Sequence, residues 1–200
     1  MLEKTLKKTI HNANKLAKAW PVATVAKFQA QLLAWYHAEQ RTLPWRENPS
    51  LYKTVVSEFM LQQTRVQTVL PYFEKWMELY PDFKALAVAD DSSVLKAWEG
   101  LGYYSRARNL HKLAKKVAVL KEMPRTRTEW LEFPGVGPYV SAAITSMAFG
   151  QPEAVVDGNV VRVFARILKD GRIFNGSAEA TKAFGSVAEA FLNMDHPGDH

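Results

Sequence analysis

Apolar residues along this chain recur at three- and four-residue intervals, the spacing of helices rather than strands. Phe28, Leu32, Trp35 and Tyr36 fall along one side of a helix beginning near Thr24. Pro44 and the Asn48-Pro49 pair then break the pattern, so residues 41–46 read as a loop. A second helix is expected from about residue 52 to 68 through Val55, Val56, Phe59, Met60 and Val66. A third opens at Pro71, carries Phe73, Trp76, Met77 and Tyr80, and ends at Pro81. Asp91 or Ser92 is placed to cap residues 94–98, and Gly100 and Gly102 interrupt the chain before a helix from about 104 to 120. On that helix Ala107, Leu110, Ala114 and Val117 share one face while Arg108, Lys112, Lys115 and Lys116 share another. One side packs and the other is basic. After Gly150 and Pro152, Asp157 stands where a helix to about residue 168 would begin, and Ser177 is placed to cap a last helix with Phe184, Val187 and Phe191. Trp20 and Trp130 read as packing residues. No stretch alternates as a strand would and no internal repeat is present, so the expected fold is all-α.

Composition adds limits. The 200 residues suffice for one domain or two small helical lobes, and 48% hydrophobic residues with 10 Gly and 10 Pro argue for a folded, helix-rich chain. There is no cysteine, which excludes disulfides and any Cys-ligated zinc or iron–sulfur site within these residues. His11, His37, His111, His196 and His200 show no metal-like clustering, so no metal site is expected. No apolar run approaches the roughly 20 residues of a membrane span. Net charge is +6, but five Lys against Glu3 place four of those charges in residues 1–20. Residues 1–23 therefore read as a basic N-terminal extension, a solvated amphipathic helix or a frayed tail, without the apolar core of a secretory signal. The informative excess is local: Arg106, Arg108, Lys112, Lys115, Lys116, Lys121, Arg125 and Arg127 face a single acid, Glu122, within residues 101–127.

Three features suggest chemistry. Gly135, Val136 and Gly137 lie in a Pro-Gly-Val-Gly-Pro turn ahead of a helix starting at Pro138, which reads as a helix-hairpin-helix whose backbone suits a phosphate. Glu58 is crowded by Val55, Val56, Phe59 and Met60. If its carboxyl faces a pocket, desolvation favours the protonated form and makes it a general acid. Asp157, as a helix cap, would stay ionised and stabilise developing positive charge. Such a pair suits cleavage of a glycosidic bond, where the leaving group takes a proton while the sugar becomes oxocarbenium-like. On a nucleic acid the leaving group is a base, which must first leave the stack.

The segments Val56-Ser-Glu-Phe-Met-Leu-Gln-Gln-Thr64, Arg41-Thr-Leu-Pro-Trp-Arg46, Gly100-Leu-Gly-Tyr-Tyr-Ser-Arg106, the glycine turn and Val156-Asp-Gly-Asn159 together resemble the helix-hairpin-helix DNA glycosylases, most closely the adenine DNA glycosylases of the MutY type. The resemblance runs from about residue 28 to 168. It implies a general acid at Glu58, an oxocarbenium stabiliser at Asp157 and a water-orienting role for Asn159. It also implies an adenine pocket of Arg41, Leu43, Trp45 and Arg46, and Gln63 and Tyr103 filling the space around the lesion strand. Gly135, Val136, Gly137, Arg108 and Lys112 are the candidates for the DNA backbone. Tyr139 occupies the position where strand-cleaving relatives of the endonuclease III type carry a Schiff-base Lys, which implies a monofunctional enzyme that uses water.

The expected substrate is double-stranded DNA with adenine mispaired with 8-oxoguanine or guanine. The expected setting is a monomer in the bacterial cytoplasm, with the nucleoid and away from membranes. The expected organisation is the 1–23 extension, residues 24–51 as helix and pocket loop of a second lobe, 52–150 as a six-helix lobe with the hairpin, and 151–200 as the rest of the second lobe, with the active site between the lobes. No cofactor is expected within residues 1–200. In the family a [4Fe-4S] cluster follows further along the chain, and its absence here is expected to leave the second lobe incomplete with apolar surface exposed. Two alternatives stay open: an endonuclease III-like enzyme acting on oxidised pyrimidines, and a non-catalytic helix-hairpin-helix DNA-binding fragment.

Overall fold

The computed structural model describes residues 20–199, and within them every regular element is a helix. The basic extension expected over residues 1–23 lies almost wholly outside the described residues. In chain order the helices are α1 (Val22–Glu39), α2 (Leu51–Leu61), α3 (Val66–Leu79), α4 (Phe83–Ala87), α5 (Asp91–Ala97), α6 (Ser105–Val117), α7 (Arg127–Leu131), α8 (Pro138–Phe149), α9 (Gly158–Ile167) and α10 (Ser177–Phe191). They divide into two compact units. One is Arg41–Phe149, and the other joins the described residues up to Gln40 with those from Gly150 onward.

In the larger unit α2 is the central element. Ser50 caps it by accepting a hydrogen bond from the Lys53 amide at 3.2 Å, and Tyr52 and residues 54–60 are all buried. A helix apolar nearly all round has to be surrounded, and α3, α6 and α8 pack against it. Burying Phe59 and Met60 there stabilises the fold by roughly 1.5–3 kcal/mol each. Helix α8 is rich in small residues, and Val140 to Ser146 are buried. The Thr145 hydroxyl donates to the Ser141 and Ala142 carbonyls at 2.8 and 3.1 Å, so it enters the core with its polar group satisfied. The Trp76 and Trp98 rings meet edge to face at 5.4 Å. The Trp76 indole donates to the Tyr52 hydroxyl at 3.1 Å, and burial pushes that hydroxyl's pKa well up.

Several boundaries differ from the sequence expectation. A single helix was expected over residues 52–68, but α2 ends at Leu61 and α3 starts at Val66, because Gln63 takes a left-handed conformation (φ +57°). Pro71 lies inside α3 rather than opening it. Its exposed position lets water reach the carbonyl that the missing N–H leaves unbonded. Asp91 is the first residue of α5 and Asp90 holds the cap position; the Asp91 carboxylate is held by Lys115 and His111 instead. Ser177 is the first residue of α10, with Gly176 at the cap position. The expected six-helix lobe contains seven helices, two of them only five residues long. Residues 41–50, expected with the second lobe, belong to this larger unit because Leu43 and Trp45 are buried in its core, Trp45 lying 5.1 Å from the Phe73 ring.

The smaller unit is built from α1, α9 and α10 around Phe164, Ala183, Phe184, Val187, Ala188 and Phe191. Trp20, Phe28 and Phe164 all set their rings edge-on to Phe191, at 5.4, 5.2 and 5.4 Å. The Gln29 side-chain amide donates to the Phe191 and Leu192 carbonyls and so closes the end of α10. Even so, α1 buries no residue completely, and Trp35 on it is 61% exposed.

Candidate active site

Glu58 sits in the middle of α2 and is 8% exposed, between the buried Ser57 and Phe59. Among the described residues it is the one carboxylate buried in the larger unit's core. The glycine turn reaches the same part of the unit. Gly135 has φ +77°, and a Cβ there would lie 2.8 Å from the Phe59 ring and 2.8 Å from Asn109 Cβ. Only glycine allows both this conformation and this closeness, so α2 beside Glu58, α6 at Asn109 and the hairpin are held together. Gly137 has no positive φ, and a Cβ there would meet open space. That opening leaves room for a partner to approach the backbone. The Val136 side chain is buried in the core and its amide already donates to the Phe133 carbonyl at 3.1 Å, so that amide is engaged within the turn. Tyr139 is 38% exposed at the start of α8, and Arg108 and Lys112 are exposed on α6.

The pocket residues expected in loop 41–46 separate into two kinds. Arg41 and Arg46 are exposed, whereas Leu43 and Trp45 are core residues. An open groove beside this loop, lined by Pro44, Phe73 and Met77 with Glu47, Glu74 and Glu78, includes none of the expected site residues. Its three carboxylates outnumber its one cation, Lys53, which gives it the wrong sign for phosphate.

Gln63 and Tyr103 are both exposed and both left-handed, with φ +57° and +47°. For residues with a Cβ this costs roughly 1–2 kcal/mol each, and a residue that the sequence reading assigned to the basic region compensates for it. Arg106 is 6% exposed and lies under both turns. Its Nη1 donates to the Phe59 and Met60 carbonyls at 3.2 and 2.8 Å and to the Gln62 carbonyl, while Nη2 donates to Leu101 and Gly102 at 3.2 Å each. The guanidinium also lies 5.3 Å from the Tyr103 ring and 5.4 Å from the Trp98 ring. Burial lowers its pKa. The sequence carried a signal for this, since Arg106 precedes Leu110 by four positions and so falls on the apolar face of α6. His111 is likewise buried rather than on the basic surface. Its Nδ1 is 3.0 Å from Asp91, and burial, followed by the nearby Lys115, lowers its pKa against the pull of Asp91.

Asp157 and Asn159 belong to the smaller unit. Asp157 caps α9 by accepting from the Asn159 and Val160 amides at 2.9 and 2.8 Å, and its second oxygen accepts from the Asn159 side-chain amide at 3.0 Å. The carboxylate therefore orients Asn159 while it caps the helix. The sequence contains no cysteine, so none of its residues can supply the thiolates of the iron–sulfur cluster that the resemblance implies. Among the described residues no group of three His, Asp or Glu is placed to hold a metal.

Comparisons with known proteins agree with this architecture. Residues 56–186 match the family described as HhH-GPD superfamily base excision DNA repair protein. The chain is 42% identical over 198 residues to an adenine DNA glycosylase of Schizosaccharomyces pombe, and 42% identical over 190 residues to one of Homo sapiens. These alignments take in 88% and 89% of this chain but only 42% and 34% of those proteins, so the chain spans less than half their length. Among solved structures, a thermostable thymine-DNA glycosylase superposes with a TM-score of 0.74 at 28% identity, over 88% of this chain and 81% of that one. An endonuclease III in a non-covalent DNA complex, at 20% identity and a TM-score of 0.64, shares the fold over 86% of this chain and 84% of its own. With well over half of its residues inside that family match, the chain belongs to the HhH-GPD superfamily of base excision DNA repair proteins.

Proposed function

We propose that this chain carries the catalytic part of an adenine DNA glycosylase, hydrolysing the N-glycosidic bond of adenine mispaired with 8-oxoguanine or guanine in duplex DNA. The observation that carries the reading is the burial of Glu58, a carboxylate within an apolar core, on a helix whose next residue, Phe59, packs against a glycine turn suited to a DNA backbone. The choice of adenine rests on relatives that bear that name. Glu58 donates a proton to the departing base. Asp157, fixed by three hydrogen bonds from Asn159 and Val160, stabilises the oxocarbenium-like sugar, and Asn159, held against it, orients the attacking water. Arg41 and Arg46 contact the substrate from the loop whose apolar residues Leu43 and Trp45 fix its course. Gly135, Gly137, Arg108 and Lys112 hold the phosphates, and Gln63 and Tyr103 enter the duplex. Tyr139 offers no amine for a Schiff base, so the product is an abasic site with the strand intact. The enzyme acts as a monomer on chromosomal DNA in the bacterial cytoplasm. Release of adenine from an A:8-oxoG duplex without strand cleavage tests the reading directly. Salt-sensitive duplex binding with no base released would favour a non-catalytic DNA-binding module, and high-yield borohydride trapping would favour a lyase.

A further inference from the structure

We propose that Arg106 is a positioning residue for base extrusion, a single guanidinium that presets both side chains entering the duplex. The inference rests on the reading of Gln63 and Tyr103 as the residues that fill the space left by the base. Each of these residues is left-handed, and the peptide carbonyl immediately before each one, Gln62 in one turn and Gly102 in the other, accepts from Arg106. A carbonyl lies in the same plane as the following N–H. Holding those two carbonyls therefore fixes the peptide planes that lead into Gln63 and Tyr103. The planar fork reaches both turns at once, Nη1 toward the end of α2 and Nη2 toward the loop before α6, and its central carbon lies over the Tyr103 ring. A lysine has the charge but only one donor centre, so it cannot span the two turns. The side chains of Gln63 and Tyr103 remain exposed, Tyr103 at 60%, on backbones that a partner need not reshape. Preorganisation of this kind lowers the cost of opening the stack, because the side chains that replace the base are already in place.

The test is a double-mutant cycle in the full-length protein, read by 2-aminopurine fluorescence next to the target adenine of an A:8-oxoG duplex. Helical circular dichroism serves as the folding control. Arg106→Lys in the otherwise native chain should lower the extrusion signal by about tenfold, and the same change combined with Gln63→Ala and Tyr103→Ala should alter it less than about twofold. Arg106→Met should deepen the first effect; if it fails to fold, the lysine cycle carries the test alone. The inference is overturned if Arg106→Lys extrudes as the native protein does. Equal losses with and without the two side chains would also overturn it, since they mark a purely structural role, and so would a native chain that extrudes nothing. Adenine release is measured separately on the native chain, so failure of the proposed activity is distinguishable from failure of this coupling.

Discussion

In the proposed reaction single residues serve structure and chemistry at once, and Asp157 shows it most simply. One oxygen of its carboxylate caps α9 and the other aligns the Asn159 side chain. Asp157→Ala should cost about 1 kcal/mol of stability, read as a lower urea midpoint, and should reduce excision far more than that loss accounts for. Asp157→Asn separates the two roles: it keeps much of the cap and should still lose excision. His111 gives a pH dependence with a definite sign. Its pKa is lowered in the folded state, chiefly by burial, so the unfolded chain takes up the proton first. Stability from neutral His111 is therefore present above the ordinary histidine value near 6.5 and is lost as the pH falls toward the folded value. Urea midpoints should decline from pH 7.5 to pH 5, and His111→Asn should flatten that slope. The apolar setting of Glu58 and the helix cap at Asp157 were legible in the sequence because both follow from near neighbours. For Arg106 the sequence offered only its place four residues before Leu110, because its partners, carbonyls of a separate helix end and loop, are fixed by packing, as is the Asp91 carboxylate beside His111.

At the level of helices, faces were legible and boundaries were not. Ala107, Leu110, Ala114 and Val117 were expected to pack, and all are fully buried, because a 3.6-residue period is a local property. The division between α2 and α3 escaped notice because it depends on Gln63 being held left-handed by contacts to Arg106 more than 40 positions away. Expectation and structure agree best at the hairpin, where α8 starts at Pro138 and Gly135 alone takes the positive φ within the turn. Gly135→Ala should lower stability by roughly 1–3 kcal/mol, because the new methyl meets Phe59 and Asn109 in a strained conformation. A thermal melt reads this directly. Gly137→Ala meets open space and should leave the melt nearly unchanged.

The described residues form two cores of unequal size, and net charge hides a local basic excess on α6. Helices α2 and α8 lie deep in the larger core, whereas α1 buries no residue completely. Amides of α2 and α8 should therefore outlast those of α1 in hydrogen exchange. The exposed face of α6 should contribute to DNA affinity through phosphates alone. Removing Arg108 and Lys112 together should reduce the slope of log K against log salt by about 1.8, without changing which base is released. Composition left one domain or two lobes open, and the two-lobe expectation came with the family resemblance. Loop 41–50 went to the other unit because Leu43 and Trp45 are core residues there, a fact of packing that polar neighbours in sequence conceal. The most direct test of the whole account is single-turnover release of adenine from an A:8-oxoG duplex by the native chain and by Glu58→Gln. The account predicts release by the native chain and a loss of at least about 100-fold in the variant; release at an undiminished rate by Glu58→Gln would contradict it.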